Sequence, residues 1–277
     1  MTRPSAIQPV RAGNKHVNFM IYGEPGAGKS VLAGTSEKAL ILASNADEVT
    51  SAATWGSKAD VWVLNDYDDL TEAYEYVRHE GVRDYDWCWL DNGTLFQEQG
   101  MDQIMLDLVA AKPHRNQWVP DQAEYLVNQN HLGWFIRNFV ALPIHFGVTA
   151  HVMRITNEDG EPECWPMFQG GQGQLSQKLC GYFGVVGYLT VVHEKDKPSR
   201  RLLYTEKHSI YEAKDRYGAL PPAINNATIP AIMAAIKKKL PEATLGGGRP
   251  APLKAAAKKL PAKKVAGAIK KTTTTGR

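Results

Sequence analysis

The feature that most constrains this chain is an eight-residue turn, GEPGAGKS, at residues 23–30. It matches the pattern GxxxxGK[ST] at every fixed position. It follows the apolar stretch HVNFMIY (16–22) and precedes the helix-compatible stretch SVLAGTSEKA (30–39). A glycine-rich turn between a strand and a helix directs backbone N–H groups towards phosphate oxygens. The sequence therefore predicts a phosphate-binding loop within an α/β domain.

The residues of this loop have distinct predicted roles around a nucleoside triphosphate. The glycines let backbone N–H groups face the β-phosphate, Lys29 reaches the β- and γ-phosphates, and Ser30 offers its hydroxyl to Mg²⁺. The predicted nucleotide-binding residues are Gly23, Glu24, Pro25, Gly26, Ala27, Gly28, Lys29, Ser30 and Val31. The site also needs a carboxylate to hold the metal through water.

Asp91 is the predicted carboxylate, because it follows the apolar run WCWL (87–90) and so ends a buried strand. Together with Ser30 it forms the predicted magnesium site. The alternative is that Asp91 only begins a turn with Asn92 and Gly93. Asp86 would lie at the other end of the same strand. The base that activates water is left open among Asp47 and Glu48, which follow the run ALILA (39–43), and residues elsewhere in the chain. Slow hydrolysis is therefore expected.

Apolar runs alternate with helical patterns through most of the chain, which is typical of an α/β fold with a mostly parallel sheet flanked by helices. The predicted strands are 16–22, 39–43, 61–64, 87–90 and 145–150, and VVGYLTVVH with RLLYTE suggests a C-terminal β-hairpin. Apolar residues at helical spacing around Leu70, Met101, Leu132 and Ile229 predict four amphipathic helices. The three cysteines show no disulfide or zinc spacing.

The charge of the chain is unevenly distributed. Nine of the 32 basic residues lie in residues 246–277, which contain no acidic residue, so residues 1–245 carry a net charge of −6. This segment is predicted to be a disordered Lys-rich tail behind a domain of residues 1–245. The tail would either gather nucleic-acid phosphates or only aid solubility.

No stretch is long and apolar enough to predict a membrane span, and the first residues lack the apolar core of a signal peptide. A cytoplasmic location and no membrane partner are expected.

His151 follows the run HFGVTA (145–150), where a polar side chain can sense the γ-phosphate or simply bond to nearby backbone. The next segment, 153–174, is polar and glycine-rich, and is predicted to be an irregular loop. Trp165 and Phe168 in it would suit stacking on nucleic-acid bases, whereas the alternative is a lid over the nucleotide. A basic and aromatic stretch, KPHRNQW (112–118), is either a second nucleic-acid contact or a solvated connector.

The stretch AKDRYG places Lys214 and Arg216 one residue apart, before Gly218. Such cations are often plain surface residues. The order also resembles the KxRxG element of RecA-like and hexameric-helicase ATPases. That resemblance implies that Lys214 and Arg216 reach the γ-phosphate of a neighbouring subunit, which would require an oligomer.

GEPGAGKS, WCWLDN, VTAHV, FQGGQGQ and AKDRYG, in this order, resemble the phage-encoded RecA-like P-loop proteins of the AAA family, some of which are single-strand annealing recombinases. The resemblance spans about residues 15–240. It implies a RecA-like core, ATP and Mg²⁺, and ring or filament assembly. It also implies single-stranded DNA as partner, often with a single-strand binding protein, and the host cytoplasm as location. The chain departs from the pattern at Asn45 and Asn92, where related ATPases place a catalytic Glu, and at His151, which replaces a Gln.

The predicted function is an ATPase that binds single-stranded DNA in phage recombination or annealing. The alternative is a motor or helicase loader that remodels a replication protein. A small-molecule kinase shares only the phosphate loop, and the several carboxylates of residues 153–174 would repel a phosphorylated acceptor.

Overall fold

The computed structural model describes residues 16–195 and 198–239. The strands are β1 (Asn18–Tyr22), β2 (Ala39–Ala43), β3 (Asp60–Val63), β4 (Trp87–Asp91), β5 (His145–Ala150), β6 (Val152–Thr156), β7 (Pro162–Pro166), β8 (Val185–Val192), β9 (Arg200–Tyr204), β10 (Lys214–Asp215) and β11 (Ala223–Asn225). The helices are α1 (Lys29–Ala33), α2 (Ala46–Thr54), α3 (Tyr67–Tyr76), α4 (Val82–Asp84), α5 (Gly93–Ala111), α6 (Gln122–Val140), α7 (Gln174–Cys180) and α8 (Ile229–Lys239). The predicted domain boundary at residue 245 and the tail 246–277 lie outside the described residues.

The central sheet has the order β11-β9-β8-β1-β5-β4-β2-β3, and β10 pairs with β8. The six strands from β8 to β3 run parallel, whereas β9, β10 and β11 pair antiparallel to their neighbours. Parallel neighbours need crossover connections, which the helices supply. The α/β prediction with a mostly parallel sheet is confirmed, and so is the hairpin, formed by β8 and β9.

Alternate residues of the central strands face opposite sides of the sheet, and each side is covered by helices. In β1, Met20 belongs to the apolar cluster under α3 and α6, whereas Ile21 belongs to the cluster under α1 and α8. Trp89 of β4 fits because Gly147 of β5 has no side chain; a Cβ there would collide with the indole ring. The four predicted helix faces are found in α3, α5, α6 and α8. Both faces of the central strands are therefore buried, and the functional groups must lie along the two edges at which these strands begin and end.

Helix α1 is shorter than predicted, since it ends at Ala33 with Gly34 as its C-cap. A Cβ on Gly34 would lie 2.9 Å from both the Ala52 Cβ and the Ser57 hydroxyl oxygen. The chain therefore turns early towards β2, because α2 packs directly against the end of α1.

The prediction of an irregular 153–174 loop is wrong for most of its length. Strands β6 and β7 pair as an antiparallel hairpin, and a 3-10 turn, Gly171–Gly173, leads into α7. Phe168 is 1% exposed and belongs to the core, and Trp165 packs against that core. The base-stacking role expected of Phe168 is therefore excluded, because its ring is enclosed by other side chains.

Cys88, Cys164 and Cys180 are buried free thiols. Within residues 16–195 and 198–239, no helix combines the length and the apolar character that crossing a membrane requires.

Candidate functional site

The phosphate loop lies between β1 and α1, at the carboxyl edge of the parallel strands. Gly26 (φ 78°) and Gly28 (φ 94°) adopt the left-handed conformation that side chains disfavour. Gly23 is required for a different reason, because a Cβ there would collide with the backbone carbonyl of Leu189. The fixed glycines of the motif are thus explained by backbone geometry.

Lys29 is 7% exposed, and its Nζ donates to the carbonyl oxygens of Gly23 and Glu24, both at 3.0 Å. Burial lowers the pKa of Lys29, and the carboxylates of Asp91, Glu48 and Glu24 act in the opposite direction. An ammonium group has three donors, so one remains for a phosphate oxygen. The two carbonyl contacts hold that donor over the loop.

Asp91 ends β4 and is 0% exposed. Its Oδ1 accepts a hydrogen bond from the Thr149 hydroxyl, whereas Oδ2 is buried without a partner among the described residues. Burial raises the pKa of Asp91, and the Thr149 and Ser30 hydroxyls and the Lys29 ammonium act in the opposite direction. A buried oxygen lacking a partner beside a hydroxyl fits the environment of a hard divalent cation such as Mg²⁺. Ser30 and Asp91 would hold this ion, with water and phosphate oxygens completing its coordination.

The two candidate bases occupy the first turn of α2. Glu48 is half-buried, and its pKa is raised by burial and by the charge of Asp91, while Lys29 lowers it. Asp47 is exposed. Asn45 caps the helix, since its side chain accepts from the backbone N–H of Glu48 at 2.9 Å. The structure therefore brings Glu48 into the electrostatic environment of the loop and gives Asn45 a structural role.

His151 lies beside Asn92 at the ends of β5 and β4. The Nδ2 of Asn92 lies 3.0 Å from Nε2 of His151, and the backbone N–H of His151 donates to the Thr94 hydroxyl at 3.0 Å. Burial and the nearby Lys29 ammonium lower the pKa of His151, so the imidazole is neutral at physiological pH. A neutral ring accepts the Asn92 amide at Nε2, which assigns the proton to Nδ1.

Hydrogen bonds join the start of α5 to the segment after β7. The Thr94 hydroxyl donates to the carbonyl of Met167 at 2.8 Å. The Gln97 amide both donates to the Gln169 carbonyl (2.9 Å) and accepts from the Gln169 N–H (2.6 Å). Sequence analysis missed this connection, because Thr94 and Gln97 are ordinary helix residues whose partners lie more than 70 positions away.

Lys214 and Arg216 lie at the opposite edge of the sheet from the phosphate loop. Arg216 bonds through its backbone to Gly184, which in turn bonds to Asn18 at the start of β1. The loop begins five residues later, which is about 16 Å along an extended strand. The side chains donate to the carbonyls of Cys180 (2.7 Å) and Gly181 (2.9 Å) at the end of α7. They therefore cap α7 and lie far from the phosphate loop of the same chain.

The 112–118 stretch forms the connector between α5 and α6. Trp118 is 79% exposed, and Lys112 and His114 are exposed as well. Arg115 instead forms ion pairs with Asp121 (2.6 Å) and Glu124 (3.1 Å). The connector thus offers an aromatic side chain but only part of the positive charge that its sequence indicates.

The chain is similar to many solved structures, among them two of low sequence identity. The RadB recombinase is 16% identical over 69% of this chain and 81% of its own, with a TM-score of 0.40. The flagellar accessory protein FlaH from Methanocaldococcus jannaschii is 9% identical over 77% of this chain and 86% of its own, with a TM-score of 0.36. No curated protein matches the chain.

A family profile assigns the chain to a family, which these distant structures do not do. The AAA_24 profile, described as an AAA domain, matches residues 15–217, which is well over half of the chain. The match includes the loop, Asp91, Glu48, His151 and Arg216. The chain therefore belongs to this family of AAA-domain P-loop ATPases.

Proposed function

We propose that the protein binds and hydrolyses ATP with Mg²⁺ and couples this reaction to single-stranded DNA, in phage recombination or annealing. The observation that carries the coupling is the hydrogen-bonded connection from His151 and Thr94 to Met167, extended by Gln97 to Gln169. It joins the carboxyl edge, where the phosphates would lie, to a surface segment that contains Gly170 and Gly171. A change at the γ-phosphate can therefore alter that surface.

The residues of the loop bind and orient the triphosphate. Backbone donors of the loop and the Lys29 ammonium bind phosphate oxygens, and Ser30 with Asp91 would hold the metal. When bound, Mg²⁺ would neutralise negative charge on the phosphates. Glu48 accepts the proton of the attacking water, because its raised pKa keeps it basic enough for this step. The products are ADP and inorganic phosphate.

In this proposal His151 and Asn92 sense the γ-phosphate, and Lys214 and Arg216 act on the nucleotide of a neighbouring subunit in a ring or filament. The support for action in trans is their position at the opposite edge from their own loop. To reach a neighbour they must leave the carbonyls of α7. A single-strand binding protein is a further proposed partner.

The decisive experiment measures phosphate release from ATP with and without single-stranded DNA. Lys29→Ala is the blank, and Arg83→Ala, which removes an exposed cation from α4, is the control for charge. We expect stimulation by DNA in the wild type and in Arg83→Ala, and no release in Lys29→Ala. A rate of phosphate release that does not change when DNA is added would exclude the coupling.

The Lys-rich residues 246–277 are proposed to contribute to DNA capture. If all nine cations engage phosphates, the slope of log affinity against log salt is roughly −6 for a single strand. Deletion of this segment should weaken DNA binding and flatten the slope. Binding with an unchanged slope would show that the segment has another role.

A helicase loader or motor is the second candidate, and a surface feature favours it. Trp118 (79% exposed), Leu126 (58%) and Val119 (54%) lie close together in sequence. An exposed apolar surface suits a protein partner better than a polyanion. Hydrolysis stimulated by a replication protein and indifferent to DNA would identify this function.

A further inference from the structure

A cavity of about 700 Å³ opens next to the phosphate loop, along the outer face of α1. Its walls include Val31, Thr35, Ala52, Trp55, Arg201 and Asn226. Val31 directly follows Ser30, so the cavity begins where the phosphate site ends. None of the sequence motifs includes Trp55 or Arg201, and the roles given to the loop do not require the cavity.

Arg201 reaches the loop because the β8–β9 hairpin extends beyond the end of β1. Tyr22, the last residue of β1, pairs with Tyr188, whereas Arg201 pairs with Val191, three residues further along β8. The Arg201 side chain then lies on Gly28, the last glycine of the loop. A Cβ built on Gly28 would be 2.9 Å from Cδ and 3.2 Å from Cζ of Arg201.

The guanidinium of Arg201 rests on an indole rather than on an acid. Its Cζ lies 4.5 Å from the ring centroid of Trp55, and its Nε is buried without a hydrogen-bond partner in the described part of the chain. Trp55 caps the end of α2 and is 66% exposed. A cation–π contact of this kind is weak compared with a bond between guanidinium and phosphate. The arrangement therefore holds a cation next to a phosphate-binding loop and can release it.

We propose that Arg201 exchanges partners when a nucleotide binds. The guanidinium leaves the indole and donates to the phosphate chain, and the nucleobase enters the cavity and stacks on the exposed face of Trp55. Purines offer more stacking area than pyrimidines and are preferred. This inference rests on the proposed binding of a nucleoside triphosphate, and it adds a nucleoside subsite and a phosphate ligand outside the loop.

Calorimetric titration with Mg·ATP and with Mg·tripolyphosphate separates the two halves of the proposal, because tripolyphosphate has no base. We expect Trp55→Leu to weaken ATP binding about tenfold, within the range measured for stacking of one base, and to leave tripolyphosphate binding within about twofold. Trp55→Phe should restore most of the ATP affinity. Arg201→Gln should weaken both ligands about tenfold. Trp118→Leu, which removes an exposed indole from the α5–α6 connector, is the matched control.

The exchange of partners has its own readout in tryptophan emission. The difference between wild type and Trp55→Phe isolates the signal of Trp55. Tripolyphosphate should change this signal in the wild type, because Arg201 leaves the ring. The same difference, measured between Arg201→Gln and the double variant Arg201→Gln with Trp55→Phe, should not change when tripolyphosphate is added. Thermal unfolding of each variant verifies that it is folded, and Arg201→Lys replaces Arg201→Gln if the latter is not.

Three results would overturn the inference while leaving ATP binding intact. These are an unchanged ATP affinity in Trp55→Leu, tighter binding of both ligands in Arg201→Gln, or no emission change in the wild type. Tighter binding of both ligands in Arg201→Gln would mean that Arg201 occupies the phosphate site and competes with the phosphates. Failure of the proposed function itself looks different: the wild type binds neither ligand, or Lys29→Ala binds both as well as the wild type does.

Discussion

The two edges of the central sheet carry charged side chains that differ in burial and in hydrogen bonding. At the carboxyl edge, Asp91 is fully buried and keeps one oxygen without a described partner, and Lys29 is almost fully buried. At the amino edge, where the parallel strands begin, Lys214 and Arg216 lie nearer the solvent and already donate to carbonyls of α7. The first edge keeps one buried carboxylate oxygen without a described partner, whereas both cations of the second edge donate to carbonyls.

This difference indicates where the fold gives up stability for function. A buried carboxylate destabilises the folded state, and the neighbouring hydroxyls and ammonium offset the cost only in part. A bound cation would complete the compensation. Burial also lowers the pKa of Lys214, but both cations of the amino edge already donate to carbonyls. A functional role there therefore requires an event that removes existing bonds, such as contact with a second subunit.

The largest expected effect tests the amino edge. Arg216→Ala should lower kcat for ATP hydrolysis by about 10³ or more with little change in KM, because a finger acting in trans stabilises transition-state charge. Loss of the α7 cap alone would instead lower the melting temperature. Mixing Arg216→Ala with Lys29→Ala should recover part of the activity, since some interfaces then combine an intact loop with an intact arginine. No recovery on mixing would assign Arg216 a structural role only.

The next effect tests the carboxyl edge. Asp91→Asn should lower phosphate release by about 10³, because several kcal/mol of charge stabilisation by the metal is lost. The same variant should be more stable by about 1–3 kcal/mol at neutral pH, since it removes a buried charge of which one oxygen has no described hydrogen-bond partner. Denaturant unfolding measures this gain, and a loss of stability would contradict the comparison of the two edges.

The pH dependence of that gain has a definite sign. The folded state raises the pKa of Asp91, so ionisation of this carboxyl costs more in the folded than in the unfolded chain. The destabilisation is absent below the unfolded pKa of about 4, grows as pH rises from there towards the higher folded pKa, and is constant above it. The stability difference between Asp91→Asn and the wild type should therefore vanish near pH 4 and level off at higher pH.

A smaller effect distinguishes two neighbouring carboxylates. Glu48→Gln should lower kcat about 10²-fold, the usual contribution of a general base, whereas Asp47→Asn should stay within about twofold of the wild type. Phosphate release under saturating ATP measures both. Equal losses in the two variants would show that α2 acts through its overall charge and that Glu48 is not the base.

The smallest effect concerns Asn45, at the position where related ATPases place a glutamate. Asn45→Ala should cost about 1 kcal/mol of folding stability, because α2 loses its N-cap. Asn45→Asp should retain the cap. Urea unfolding of both variants checks the assignment. An Asn45→Ala variant of unchanged stability would remove the structural explanation for this departure from the family pattern.

Local sequence was sufficient to predict the position of the phosphate loop and of the buried strands. The loop is contiguous in sequence, and backbone geometry requires its glycines. Parallel strands that are buried on both faces appear in the sequence as apolar runs. Position alone also placed Asp91, since the end of β4 meets the end of β5 at one edge. The predicted helix faces hold for the same reason: the 3.6-residue period is a local property.

What the sequence could not supply depends on distant contacts. Asp47 and Glu48 are adjacent and chemically similar, and only the packing of α2 beside the loop places one near Asp91 and leaves the other exposed. Phe168 lies in a polar and glycine-rich stretch, yet pairing of β6 with β7 carries it into the core. Arg201 touches Gly28 only because a hairpin far along the chain extends over the loop.

Helix α5 begins two residues after Asp91 and extends for 19 residues, about 28 Å. Its first two turns are bonded to the Met167–Gln169 backbone, and its far end leads into the connector that carries Trp118. As a rigid lever, the helix would convert a rotation of about 5° at its Asp91 end into a movement of about 2.5 Å at the connector. Small displacements beside Asp91 would thereby be amplified into larger displacements on the outside of the molecule.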